Sequence, residues 1–154
     1  MKRNLIAISL LECLLSLMII ASISLMAVRY YMITTRDMHV SNAISQIKRI
    51  THASYEWLQT QKQANFSDEG GGITISLNAL IDDQLLDPNH DTLDPWGGTI
   101  DVAPSNDASF VKITLTQLPP LACKNITQQL RYINKDKTDN HCSNKVTNTF
   151  VGVF

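Results

Sequence analysis

Ala7-Ile8-Ser9-Leu10-Leu11-Glu12 opens the stretch that decides the reading of this chain, because an unbroken apolar run continues from it to Val28. Between Ile8 and Val28 the only ionisable groups are Glu12 and the thiol of Cys13. As a helix, these residues would extend about 31 Å at roughly 1.5 Å per residue, close to the hydrocarbon thickness of a bilayer. Lys2 and Arg3 precede the run, which keeps the amino end cytoplasmic by the positive-inside bias and sends the bulk of the chain outward. Three plain readings compete: a cleaved signal peptide, a single-pass anchor and a buried core helix. A conventional signal peptide has small residues before the cut, and Ser24-Leu25-Met26-Ala27 fits that pattern poorly.

Glu12 separates these readings. A charge at the centre of a membrane helix costs about 2.5–3.5 kcal/mol on insertion scales, so it calls for a cation. Arg3 lies more than two turns upstream and no second membrane segment follows, so the cation is expected from another subunit. A cut after Ala7 would make Ile8 a new amino terminus, whose amine, with an ordinary pKa of about 7.7–8.0, is largely protonated at neutral pH.

Ala7 through Glu12, the basic residues before them and the long apolar run after them together resemble the amino-terminal signature of type IV prepilins. The resemblance implies that a membrane prepilin peptidase removes residues 1–7, that Ile8 becomes N-methylated, and that Glu12, fifth in the mature chain, contacts the terminal amine of a neighbouring subunit during assembly. The family usually has Gly before the cut and Phe or Met after it, where this chain has Ala7 and Ile8. It also lacks the helix-loosening glycine and proline of many pilins, with Ala21 and Arg29 near those places.

The fold expected is α+β: a pilin fold in which a long helix over 8–64 packs on a small antiparallel sheet head, 65–154. Residues 8–28 would form the membrane or filament part and 29–64 an amphipathic half. Val40, Ile44, Ile47, Ser54 and Leu58 recur at three-and-four spacing, while Arg36, Lys48, Arg49, Gln59 and Lys62 are read as a solvated face. Asp68-Glu69-Gly70-Gly71-Gly72 is expected to end the helix, since three glycines permit positive φ. Leu77–Leu86 reads as a short helix capped by Ser76 or Asn78. Thr99–Val102, Phe110–Leu115 and Thr149–Phe154 alternate as half-buried strands. Pro119-Pro120 is expected to begin a helix with Leu121, Cys123, Ile126, Leu130 and Ile133 on one face.

Cys123 and Cys142 flank eighteen residues of the exported part, whereas Cys13 sits in the membrane run, so the first two are expected to pair. The type IV pilin resemblance also implies a carboxy-terminal disulfide loop, and Ile113 through Cys123 resembles the end of type IVb pilins. Asp94-Pro95-Trp96-Gly97 resembles the corresponding loop of major pseudopilins of type II secretion. Asp87, Asn89 and Asp91 have the one-three-five spacing of calcium loops, yet Thr92 and Gly98 stand where Gly and Glu belong. The preferred reading is therefore a polar turn in which Trp96 plugs the sheet. His39 and His52 lack a metal-binding partner at helical spacing.

Thirteen basic and fourteen acidic side chains, net -1, give no basic face for nucleic acid; removing Lys2 and Arg3 takes the net charge to -3. No nucleophile or oxyanion motif accompanies Asp91, Asp94 and His90, so no enzyme activity and no cofactor are expected. What the resemblance implies is a homo-oligomeric helical filament, a fimbrium with a capacity for adhesion. Its partners would be the prepilin peptidase, an inner-membrane assembly platform with its ATPase, and an outer-membrane secretin. The precursor would lie in the inner membrane with its head in the periplasm, and the assembled pilus outside the cell. A secretion pseudopilin and a non-polymerising anchored binding domain are the alternatives.

Overall fold

Every backbone group of a lipid-facing segment must be satisfied within it, and α-helix is the open-ended way of doing so. The computed structural model describes residues 3–67, 73–89, 91–135, 142 and 148–154. With neither Gly nor Pro to interrupt it, helix α1 runs over Arg3–Thr60. The chain divides into two compact units, Met1–Met38 and His39–Phe154.

The first unit is helix alone. Its described side chains from Leu10 to Ile33 are exposed, among them Leu14, Met18, Ile23, Met26 and Tyr31. It is the one helix, among the described residues, long and apolar enough to cross a membrane, which is consistent with membrane anchoring. Its hydroxyls are absorbed by the helix itself: Ser16 donates to the Cys13 carbonyl at 2.9 Å, Ser22 to Met18 at 2.8 Å and Ser24 to Ile20 at 2.8 Å. Such back-bonding removes the cost of a bare hydroxyl in an apolar solvent.

In the second unit the α1 residues from His39 onward become one-sided. Val40, Ala43, Ile44, Ile47, Ile50, Ala53 and Trp57 are buried, a stripe at three-and-four spacing. Ser54, on the same stripe, is buried with its hydroxyl on the Ile50 carbonyl at 2.7 Å. Leu58, expected in the stripe, is half-buried, and Trp57 takes the deeper place.

The helix closes at Thr60, short of the expected 64 and well before the glycines. Lys62 adopts φ 54°, its N–H donates to Gln59 at 3.2 Å and the Gln63 N–H to Leu58 at 3.2 Å. That is a Schellman cap with lysine in the left-handed place usually held by glycine. Phe66 then turns back into the core, fully buried, its N–H on the Ala108 carbonyl at 2.8 Å and its ring edge-on to Tyr55 at 5.3 Å. The expected stop at Gly70–Gly72, the leader residues Met1 and Lys2, and His90 lie outside the described residues.

Helix α2, Leu77–Asp82, is capped by Ser76, whose Oγ accepts the Ala79 N–H at 3.2 Å. It ends on a second Schellman cap with Gln84 at φ 59°: the Gln84 N–H donates to Ile81 and the Leu85 N–H to Leu80, each at 2.9 Å. Strands β1 (Ile100–Pro104), β2 (Val111–Leu118) and β3 (Asn148–Val153) form an antiparallel sheet in the order β1-β2-β3. A register shift between Leu115 and Leu118 marks a bulge, with Gln117 at φ 58°. The inward residues Ile100, Val102, Val111, Ile113, Leu115 and Phe150 join the α1 stripe in one core, so the fold class is α+β.

Helix α3, Pro120–Leu130, starts with Pro120 inside its first turn, where a missing N–H costs nothing. Its buried face is Ala122, Cys123, Ile126 and Leu130. Leu121 and Ile133, expected on that face, are 54% and 47% exposed. The physical reason is that the contact with the sheet is narrow and the helix stops at Leu130, so Ile133 falls in a turn. Asn134 takes the inward place instead, its Oδ1 accepting the Val153 N–H at 3.0 Å. Cys123 and Cys142 form the expected disulfide, with Cα atoms 5.7 Å apart, while Cys13 is a free, exposed thiol.

Candidate functional site

Two places carry the chemistry proposed from sequence, one in each unit, and each is described in its own frame. The first is the α1 surface around Glu12. The Ala7–Ile8 bond lies within the helical backbone. Glu12 is exposed amid Leu10, Leu11, Leu14 and Leu15, each more than half exposed. Among the described residues Arg49 pairs with Asp91, and His52 Nδ1 lies 3.8 Å from Glu56; no ion pair found there involves Glu12. A carboxylate so placed is costly in lipid and attractive to any cation that reaches it, because a low dielectric strengthens a charge pair many-fold over water.

The second place is the loop from Asp87 to Gly98, which lies against α1 in the head. Asp87 Oδ1 accepts the Asn89 N–H at 2.9 Å, and the Asp87 carbonyl accepts the Asp91 N–H at 3.0 Å. Asp91 is 2% exposed. Its Oδ1 accepts a charge-assisted bond from Arg49 Nη2 at 2.8 Å and its Oδ2 accepts the Asp87 N–H at 3.3 Å. Of the three calcium candidates, Asp87 and Asp91 thus spend carboxylate oxygens on the loop and on a guanidinium, whose positive charge repels a metal ion. Among the described residues no three metal-type side chains converge.

Asp94 organises the second half of the loop. Its Oδ1 accepts both the Trp96 and Gly98 N–H groups at 2.8 Å, and its backbone exchanges bonds with Gly98 and Gly97. This is a turn held by an aspartate side chain, with Gly97 at φ +82°. Two α1 side chains grip the same loop: the His39 ring N–H donates to the Pro95 carbonyl at 2.9 Å, and Gln46 Nε2 donates to the Leu93 carbonyl at 3.2 Å. The Trp96 ring is tilted beside His39, centroids 5.9 Å apart, and is only partly buried. It sits at the rim of the core and does not plug the sheet. Between α1 and the loop lies a polar cleft of about 600 Å³ lined by His39, Asn42, Gln46, Arg49, Asn89 and Asp94, among others.

Arg49 belongs by its helical spacing to a solvated face, and its side chain is 54% exposed, yet its terminal nitrogen neutralises a buried acid. Nothing in the local pattern signals this, because the partner lies 42 residues away. Asp94 was legible in kind: Asp-Pro followed by Trp-Gly-Gly is a turn with a mechanism. Compared with models of known protein families and with curated proteins, the sequence matches none.

Proposed function

We infer that the chain is a structural subunit of a type IV pilus. A prepilin peptidase cuts it between Ala7 and Ile8, and it polymerises through its amino-terminal helix with the help of an inner-membrane platform, an assembly ATPase and an outer-membrane secretin. The observation that carries this reading is Glu12, a lone carboxylate exposed on an apolar helix of membrane length. A purely anchoring helix gains nothing from that charge, whereas a polymerising one gains a directional contact between its carboxylate and a neighbour's amine while apolar burial supplies most of the stability. The head, with its α1 stripe on a three-stranded sheet and its disulfide, is compatible with a pilin-like fold.

A pseudopilin of type II secretion is the second reading, favoured by the resemblance of Asp94-Pro95-Trp96-Gly97 to the corresponding loop of major pseudopilins. Both share the cut and the polymer, and a non-polymerising anchor shares neither.

The test is the mass of the mature amino-terminal peptide, together with shearable polymer from cells carrying the wild type or Glu12→Ala. The proposal expects a chain beginning at an N-methylated Ile8 and polymer lost in the variant at undiminished chain level. An intact Met1, or a cut near Ala27, would refute it.

A further inference from the structure

Just past the apolar run that closes at Val28, helix α1 carries a patterned face. Arg29, Met32, Ile33 and Arg36 follow one another at i, i+3, i+4 and i+7, which stacks them on one side of the helix. All four are exposed, Met32 and Ile33 by 63% and 58%. Neither arginine enters an ion pair found among the described residues, and the neighbouring acid, Asp37, stands about a quarter-turn round from this face. Tyr30 and Tyr31 flank it, 74% and 72% exposed, with rings and polar tips suited to the boundary between acyl chains and water. The place along the axis fits as well. From Arg3 to Arg29 the helix rises about 39 Å at roughly 1.5 Å per residue, the hydrocarbon core and part of both headgroup layers. Arg36 lies about 10 Å further out, yet helical side chains lean towards the amino end, here back towards the bilayer, and the modest tilt usual for membrane helices lowers one face further.

We propose that this face binds the headgroups of acidic phospholipids in the leaflet on the head side of the membrane. Each guanidinium takes phosphate oxygens through its planar fork of N–H groups, while Met32 and Ile33 sink between the two arginines to the level of the upper acyl chains. An acidic headgroup is preferred over a zwitterionic one because its phosphate charge has no cation of its own beside it. The occupant is a lipid and not free phosphate, because apolar side chains separate the two cations on the same face. The contact sets the depth of α1 in the bilayer, and after loss of Lys2 and Arg3 with residues 1–7 it would supply the cationic side chains that hold the helix at a membrane surface. It depends on membrane anchoring and on neither the cut nor the polymer, so it stands or falls apart from the filament reading.

The experiment presents the purified full chain with equal amounts of phosphatidylglycerol and phosphatidylcholine in mixed micelles and measures the lipids that remain bound by native mass spectrometry. The wild type is expected to retain phosphatidylglycerol in excess, and the preference to fall about fivefold for each arginine removed in Arg29→Gln, Arg36→Gln and the double variant. Arg29→Lys with Arg36→Lys, which keeps the charge, is expected to retain most of it, and Lys48→Gln, on the exposed side of α1 within the head unit, to leave it unchanged. Non-reducing mobility of the Cys123–Cys142 bridge and protease resistance verify a folded head. Equal retention of the two lipids by the wild type, a preference that survives in the double Gln variant, or an equal fall in Lys48→Gln overturns the proposal. Displacement of the lipid by millimolar inorganic phosphate alone would also overturn it, by showing an anion site where a lipid surface is claimed.

Discussion

Asp94 and Gly98 show how one position constrains another. A Cβ at Gly98 would run into the Thr116 carbonyl oxygen and stand 2.6 Å from Asp94 Oδ2, both on atoms with little freedom to retreat. Gly98→Ala is expected to destabilise the head by about 2 kcal/mol through overpacking. At Gly97 a Cβ meets open space and only the positive φ resists, so Gly97→Ala is expected to cost about 1 kcal/mol. Thermal unfolding of the full chain in detergent, followed by Trp fluorescence, would rank the two, and equal losses would contradict this packing. Arg49→Ala leaves the buried Asp91 carboxylate without its cation. Because the guanidinium is half exposed and solvent screens the pair, the expected loss is about 1 kcal/mol, below the range for a fully buried pair. Adding Asp91→Asn should recover part of it in a double-mutant cycle.

Among the elements, the strands were legible because alternation over Thr99–Val102 and Phe110–Leu115 is a property of the sequence itself, and β1 and β2 formed there with small extensions. A cap at Ser76 or Asn78 was likewise readable, and Ser76 takes it. Helix ends were not. Both α1 and α2 stop at non-glycine residues in the left-handed region, Lys62 and Gln84, where local propensity argues against stopping. What holds them is downstream burial: Phe66 after the first cap and Leu86 after the second gain more from entering the core than the strained φ costs. The strain is nevertheless present, so Gln84→Gly is expected to stabilise the head by about 0.5 kcal/mol, the left-handed penalty removed less the added entropy of glycine. A lower midpoint in urea unfolding would show that the Gln84 side chain contributes more than this geometry indicates.

For the molecule as a whole, the disulfide and the apolar helix act on different units and should be separable. Cys123 and Cys142 are 19 residues apart, and closing such a loop is worth about 3 kcal/mol in the chain-entropy model. Reduction, or Cys123→Ser with Cys142→Ser, is expected to lower head stability by that amount in urea unfolding. Retention of the chain in carbonate-washed membranes should not change, because the exposed apolar surface from Leu10 to Ile33 needs no folded head to partition into lipid. Release of the reduced chain from membranes would contradict the independence of the two units.

What the sequence determined by itself is whatever depends on near neighbours along the chain. The membrane-length helix follows from an uninterrupted apolar run, the strands from alternation, and the pairing of Cys123 with Cys142 from the place of Cys13 in the apolar segment. Tertiary structure alone decided where α1 ends, that Arg49 neutralises Asp91, that Asn134 rather than Ile133 turns inward, and that Trp96 sits at the rim of the core beside His39. The reason is common to all four. Each depends on residues distant in the chain meeting in a shared core, where burial of apolar surface and satisfaction of buried polar groups outweigh the preferences of any short stretch.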